Sequence, residues 1–581
     1  MMTYILRALL ALSALFITAQ ALWNPIIPGF NPDPAILRVG GDYYIATSSF
    51  EYWPGMPIYH SETCQSSVGR QHGTRPADLE RLGKDLSNWT LISHALTRPE
   101  QLQLYGVPTG AGAWAPSLAH FKGKFWLSGM TRWTYDPVAR VWPRVWFVSS
   151  ADLVKWSDPV WAEPWGIDPE LFHDEQTGKT YLNLMAPNNN KDRLWGISQC
   201  EVSLSSGDCV GEYRSLWNGT LKQDTAARPE GPKMFWREGW YYLLIAEGGT
   251  DELHRASIAR GASPSGPFEP CPHNPLMYNG QWGAKNLTVQ STGHATFVEA
   301  ADGAWYASFI ARRNVNGSSP LGRETFLAEV TWEDDWPIIN RGKPVLLSEE
   351  IGPRMGSKPT PAPWRDDFSG KELDPAWSLL RTPYSKTYDI RNGRLLFKPN
   401  VFGLSDREHP AAVLRKQTSL NMTFSADVLA SKGTLGPRNR VGVSAYLSEF
   451  QHQDIGVRGC VNATGICLYT EVRRNTTVDY WQRPLNASGA IPGGLKLHIR
   501  AEPLVYRLGY SFGGGEPTYV AEVESRWQAF APAGYFVFTG ASFALFATGE
   551  GEPWPVGAPE VGFTRVEERY FEDGVGDYDR W

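Results

Sequence analysis

Short runs of aromatic and β-branched residues, bounded by Gly, Pro, Asn and Asp, recur along the whole chain, with little of the three-to-four spacing of an amphipathic helix. The pattern predicts an all-β protein. One motif repeats, a Gly followed by an aromatic-rich strand: GDYYIA at Gly41, GKFWLS at Gly123, GKTYLN at Gly178, GWYYLL at Gly239 and GAWYAS at Gly303. The intervals, about 55 to 80 residues, each suffice for one four-stranded blade with its loops. Five such units, ending near residue 345, predict a five-bladed β-propeller over residues 22–345. A sandwich would also supply many short strands, but not this recurrence.

Each repeat Gly follows another short strand: PDPAILRVG, WAPSLAHFKG, IDPELFHDEQTG, PEGPKMFWREG and GHATFVEAADG. Eight to ten residues before the repeat Gly stand Asp33, Trp114, Asp168, Glu230 and His294. Equal phase in a radial repeat implies equal distance from the axis, so innermost strands would gather all five at one end of the channel. Taken singly, Asp-Pro and Glu-Gly are ordinary turn residues. Acids at a shared phase in three blades point to chemistry instead. Hydrolysis of a glycosidic bond with inversion needs one carboxylic acid to protonate the leaving oxygen and a carboxylate across the site to activate water. A third acid nearby raises the pKa of the first by like-charge repulsion.

The Pro- and Gly-rich segment 346–362 reads as a linker. Residues 363–581 then alternate in RLLFKPN, MTFSADVLA, VGVSAYL and YFVFTGASFALFATG, which predicts an antiparallel β-sandwich. Gly509-Tyr510-Ser511-Phe512-Gly513 fits a G-x-S-x-G nucleophile pattern. That motif works only on a strand-to-helix turn, and here strand-like residues precede it while Gly514 and Gly515 extend it toward a hairpin.

Composition narrows the function. The net charge is −6 with no basic run, so neither nucleic acid nor an anionic membrane has a footprint. Aromatics are 13% of the chain, with 25 Trp, enough for a β-rich core and for faces on which sugars stack. Residues 1–21 read as a signal peptide: Arg7 opens it, Ala8 to Ile17 are apolar, and Ala19-Gln20-Ala21 is a small-x-small cleavage site. Six cysteines suit an oxidising compartment. Cys200 with Cys209 and Cys460 with Cys467 enclose short polar loops and read as hairpin staples, whereas the pairing of Cys64 and Cys271 stays open. Glycosylation acceptors stand at Asn88, Asn218, Asn286, Asn316, Asn421, Asn462, Asn475 and Asn486. The expectation is a secreted, extracellular glycoprotein.

The text NPIIPGFNPDPAILRVGGDYYIATSSFEYWPGMPIYHS, GAWAPSL, GIDPELFHDEQTGKTYL, RPEGPKMF, IAEGGTDELH, STGHATF and SSPLGRETF resembles glycoside hydrolase family 43, over about residues 23–345. The resemblance implies a propeller that removes pentoses by single displacement, with Asp33 as general base, Glu230 as general acid and Asp168 as the residue that tunes and orients the acid. It implies sugar-binding roles for Arg323, whose alternative is a surface ion pair with Glu324, and for Phe50 and Trp114, whose alternative is core packing. His254 is expected at the pocket or just behind it. His294 resembles an axial histidine that in some members binds water or calcium. One histidine makes a poor calcium site, so no cofactor is required and at most a supporting calcium is expected near His294. The sandwich also resembles an accessory domain of family xylosidases, in which a loop helps close the pocket.

Two departures bear on the substrate. ETCQSSVGRQHGTRPADLERLGK intervenes before DLSNW, and APNNN follows YLNLM where relatives often carry an aromatic. The function expected is exo-acting, inverting release of xylose from β-1,4-xylooligosaccharides, with arabinofuranose from side chains of plant polysaccharides as a second product. The alternatives are arabinan or galactan cleavage on the same scaffold, and a non-catalytic sugar-binding propeller. A lectin would repeat one site in each blade, whereas this chain varies the position as Asp, Trp, Asp, Glu and His.

Overall fold

The computed structural model describes residues 22–61, 86–134, 141–187, 195–222, 227–282, 286–349, 361–529 and 537–578. The expected signal peptide, the whole insertion with Cys64, and part of the APNNN segment lie outside them.

Consecutive strands form five four-stranded antiparallel sheets. Their first strands are Ala35–Val39, Gly112–Phe121, Ile167–Asp174, Glu230–Arg237 and Val289–Glu299. Each packs against the first strand of the next sheet, and the fifth packs against the first, so the ring closes around these innermost strands. The protein is all-β, a propeller followed by a sandwich. The repeat glycine turns the first strand of each blade into the second. Gly123, Gly178, Gly239 and Gly303 have φ between +70° and +88°, a conformation open to glycine at no steric cost. In the first blade the neighbouring Gly40 takes this place, at φ +62°.

Apolar side chains fill the wedges between blades. Tyr242, Leu244 and Ile258 of the fourth sheet meet Phe309, Phe326 and Val330 of the fifth, and Ile36, Ile45 and Tyr59 of the first meet Val298, Tyr306 and Leu327. The start of the chain straps the ring: Leu22–Trp23 pairs with Ser348–Glu349, and the Asn24 side chain bonds both backbone groups of Leu327.

The second half stacks an eight-stranded on a six-stranded antiparallel sheet. Phe424 of one sheet lies on Phe543 of the other, 4.9 Å between ring centres, inside their shared core. YFVFTGASFALFATG is only in part a strand. Pairing begins at Ser542 and runs to Thr548, whereas Val537–Ala541 lies against the propeller as a loop. Ser511 is buried on a strand that ends in a tight turn, with no helix following, so the G-x-S-x-G match is a hairpin. Disulfides join Cys200 to Cys209 and Cys460 to Cys467. Cys271 is a buried thiol, and Cys64 lies outside the described residues.

The two halves share a core. Phe30 and Tyr52 pack with Leu380, Leu414, Tyr446 and Phe546, and Tyr52–Trp53 pairs as a strand with Leu379–Leu380. Such shared burial fixes the sandwich beside one mouth of the propeller channel, a far tighter relation than a flexible linker would give.

Candidate active site

The innermost strands share one irregularity. In the second to fifth sheets, two residues on the first strand oppose one on the second, between Trp114 and Ser117, Ile167 and Glu170, Glu230 and Lys233, and Gly293 and Thr296. Such a bulge re-aims side chains at a blade's end. Its first residue is left-handed: Ala115 (φ +46°), Asp168 (+54°), Gly231 (+59°) and His294 (+49°), with Asp33 (+57°) just before the first strand. Pro follows four of the five, at positions 34, 116, 169 and 232. The single phase inferred from counting to the repeat Gly is therefore off by one in two blades. Trp114 and Glu230 stand one residue before the bulge position held by Asp33, Asp168 and His294. The kinked backbone still brings all five to one cavity of about 730 Å³.

The carboxyl groups in this cavity have unequal partners. Ser48 Oγ donates to Asp33 Oδ2 (2.6 Å) and accepts from the Ala115 N–H, which ties the first blade to the second. Arg323 Nη1 lies 3.1 Å from Asp33 Oδ1, and His294 Nδ1 lies 3.6 Å from it. Burial alone would push the Asp33 carboxyl up, but Arg323, His294 and the Ser48 bond outweigh it and hold the group below its ordinary value. Asp168 Oδ2 accepts only the Gly231 N–H, at 3.0 Å, among the described residues. Burial and then the charge of Asp33 push it up to about 7. Burial, Asp168 and Asp33, in that order, push Glu230 up to about 8. One cavity thus holds a carboxylate and a carboxylic acid at neutral pH.

Aromatic rings wall the cavity. Phe50 and Trp114 line it, and Phe538 of the sandwich completes the wall, with centroids 6.0 Å from Phe50 and 5.2 Å from Trp114. Its loop is pinned to the propeller. Arg323 Nε donates to the Phe538 carbonyl (3.2 Å), Arg312 Nη2 to that of Val537 (3.5 Å), and the Ala541 N–H to that of Pro320. Gly322 must be glycine: its φ is +70°, and a Cβ would sit 2.5 Å from the Thr539 carbonyl oxygen.

Arg323 is buried and does not pair with Glu324, whose carboxylate takes Arg313 instead (2.7 Å). His254 takes the second of its two expected places, behind the cavity. It does not line the cavity, because Nδ1 donates to the Ser291 carbonyl and its ring fills the space beside Gly293, where a Cβ would touch it at 2.6 Å. Thr250, Arg228, Arg132 and Arg312, which the sequence did not single out, do line it.

A calcium ion at His294 fits poorly. The carboxylate beside it is Asp33, already engaged by Arg323 and Ser48, whereas calcium takes six to eight oxygens. Among the described residues the His/Asp/Glu grouping compact enough for a metal is His452, Asp454 and Glu471 in the sandwich. There Glu471 is held by Arg440 and Arg473, and His452 by Asp454 and Ser405.

The profile of Glycosyl hydrolases family 43 matches residues 22–66 and 81–337, and that of the Beta xylosidase C-terminal Concanavalin A-like domain matches residues 365–556. The chain is 36% identical over 477 residues to the non-reducing end alpha-L-arabinofuranosidase of Bacteroides ovatus, 81% of each protein. It is 33% identical over 459 residues to a xylan 1,3-beta-xylosidase of a Vibrio species, 74% of this chain and 78% of that one. A solved xylan beta-1,4-xylosidase of Bacillus halodurans aligns with a TM-score of 0.80 and 27% identity, over 94% of this chain and 100% of the other.

Proposed function

From the premise that this chain belongs to glycosyl hydrolase family 43, we propose that it is a secreted, exo-acting, inverting glycosidase. It releases xylose from the ends of β-1,4-xylooligosaccharides and arabinofuranose from substituted plant polysaccharides. The observation that carries this reading is the opposite displacement of two carboxyl groups in one cavity, Asp33 held low and Glu230 pushed up. Relatives named for arabinofuranosidase and xylosidase activities support the two pentoses.

In this reading Asp33 accepts a proton from water, whose oxygen attacks the anomeric carbon. Glu230 gives its proton to the departing glycosidic oxygen, so the C–O bond breaks as the new one forms on the opposite face. Asp33 ends protonated and Glu230 ionised, and exchange with solvent resets both. Asp168 keeps the proton on Glu230 by its negative charge. Arg323 fixes Asp33 and presents its remaining N–H groups to sugar hydroxyls, and Phe50, Trp114 and Phe538 cover the apolar face of the terminal ring. Export is part of the same proposal, supported by the N-terminal apolar stretch and two disulfides.

The test is turnover of aryl xylosides and aryl arabinofuranosides by the intact protein and by Glu230→Ala. A loss of about 10³-fold or more is expected on substrates with poor leaving groups, and a smaller loss on activated ones. Equal activity would remove Glu230 as the acid, and binding without turnover by the intact protein would favour a lectin. Proton NMR of the first-formed sugar should show inverted configuration; retention would overturn the single displacement.

A further inference from the structure

Just beyond the bulge, the first strands place a second layer of residues: Ala35, Ser117, Glu170, Lys233 and Thr296. Two of them are charged and buried, Glu170 on the third blade and Lys233 on the fourth. Glu170 is held in place: its oxygens accept the Met234 N–H (2.8 and 2.9 Å) and the Asn183 amide (2.9 Å). Lys233 Nζ is buried and makes no hydrogen bond among the described residues. A buried ammonium without a direct partner is costly unless negative charge surrounds it. Burial pushes the Lys233 ammonium below its ordinary value, and the charges of Glu170, Asp168 and Asp33, in this order of strength, oppose that push.

The charge acts selectively. Asp168 stands two residues before Glu170 on the same strand; it takes the Gly231 N–H while Glu170 takes the Met234 N–H, so the two acids meet the fourth blade on either side of Lys233. Among its neighbours Lys233 is the strongest influence favouring ionised Asp168, ahead of the Gly231 N–H and Arg323. Glu230 is eased toward ionisation by Arg323 and Arg228 instead. The other titratable groups facing this volume are His294 and His254, both kept neutral by burial.

We propose that Lys233 is a positioning residue, a fixed positive charge beneath the site that keeps Asp168 ionised beside Asp33 so that Asp168 can hold the proton on Glu230. The proposal rests on the roles assigned above to Asp168 and Glu230. It explains why a cation stands where the other blades place Ala, Ser, Glu or Thr. Two anions in one low-dielectric site repel each other strongly, and Arg323, which bonds Asp33, favours ionised Asp168 less than Lys233 does.

The test compares the intact protein with Lys233→Met and Lys233→Arg, with Lys233→Gln as a gentler replacement should methionine prevent folding. The acidic limb of the kcat/KM profile on an aryl pentoside should move up by about one pH unit in the Met or Gln variant, with the alkaline limb moving less, and should stay in place in Lys233→Arg. At a pH below the limb this is a loss of about tenfold. Infrared difference spectra of protonated carboxyl groups, with Asp168→Asn to assign the band, should show Asp168 titrating higher without Lys233. That readout needs no turnover, so an inactive intact protein would defeat the enzymatic reading while the band still tests the electrostatic one. An unmoved limb and an unmoved Asp168 band in a folded neutral variant would overturn the proposal, as would a shift in Lys233→Arg equal to that in Lys233→Met.

Discussion

The guanidinium of Arg323 lies 3.1 Å from Asp33 and, through its Nε, 3.2 Å from the carbonyl of Phe538. One propeller side chain therefore joins the carboxylate assigned as base to the sandwich loop that walls the cavity. Nη1 also reaches Thr250 Oγ1 at 3.3 Å. A planar fork can serve these directions together, and the rings of Phe50 and Phe538 flank it at 5.6 and 5.1 Å.

Arg323→Lys should therefore be far from conservative. An ammonium can neutralise Asp33 but cannot also hold the Phe538 carbonyl in the same geometry. A fall in kcat/KM of about 100-fold is expected from steady-state kinetics on an aryl xyloside, corresponding to about 3 kcal/mol of charge-assisted hydrogen bonding and positioning.

Phe538→Ala separates the wall from the chemistry. The residue is half-buried and its loop is held by backbone bonds, so the thermal midpoint should change little. Removing one aromatic face should cost about 1.5 to 3 kcal/mol of sugar binding, a 10- to 100-fold loss in kcat/KM. The pH profile should keep its shape, since the ring carries no charge.

Much of this arrangement is legible in the sequence, for physical reasons that also mark the limits. The repeat glycines announce the blades because a left-handed turn residue between two strands leaves a composition signal at each recurrence. The carboxylates are legible because each stands near the start of such a strand. The count alone puts Trp114 and Glu230 one residue off the bulge, because counting back from the repeat Gly crosses turns of different length: the bulge residue lies ten residues back for Asp168 and eight for Asp33. The better ruler is the proline after Asp33, Ala115, Asp168 and Gly231, which marks the bulge itself. Phe538 left no local signal. It sits in an apolar run that reads as strand, and only the contact with Pro320–Arg323, more than 200 residues away, makes it a loop. Lys233 in PEGPKMF carries no signal of its own, because a lone lysine in a strand is ordinarily solvated and nothing short of the closed ring shows it buried.

The raised carboxyl of Glu230 also makes a statement about stability. Its folded pKa, about 8, lies above the unfolded value near 4.3. Between these values the unfolded chain releases the proton and the folded chain keeps it, so folding loses stability as pH rises through the window. Below about pH 4 both states are protonated and the group costs nothing. Glu230→Gln keeps the shape and removes the titration. Its thermal midpoint should match that of the intact protein near pH 4.5 and exceed it progressively toward pH 8, where the gain should reach roughly 2 to 4 kcal/mol. The charge of Asp168 shares the effect, since the two carboxyls titrate as a coupled pair, so Asp168→Asn should give a smaller gain over the same window. Calorimetry at several pH values, without substrate, measures this directly. A variant that is inactive yet more stable at alkaline pH is the outcome expected of a buried acid held protonated for its chemistry.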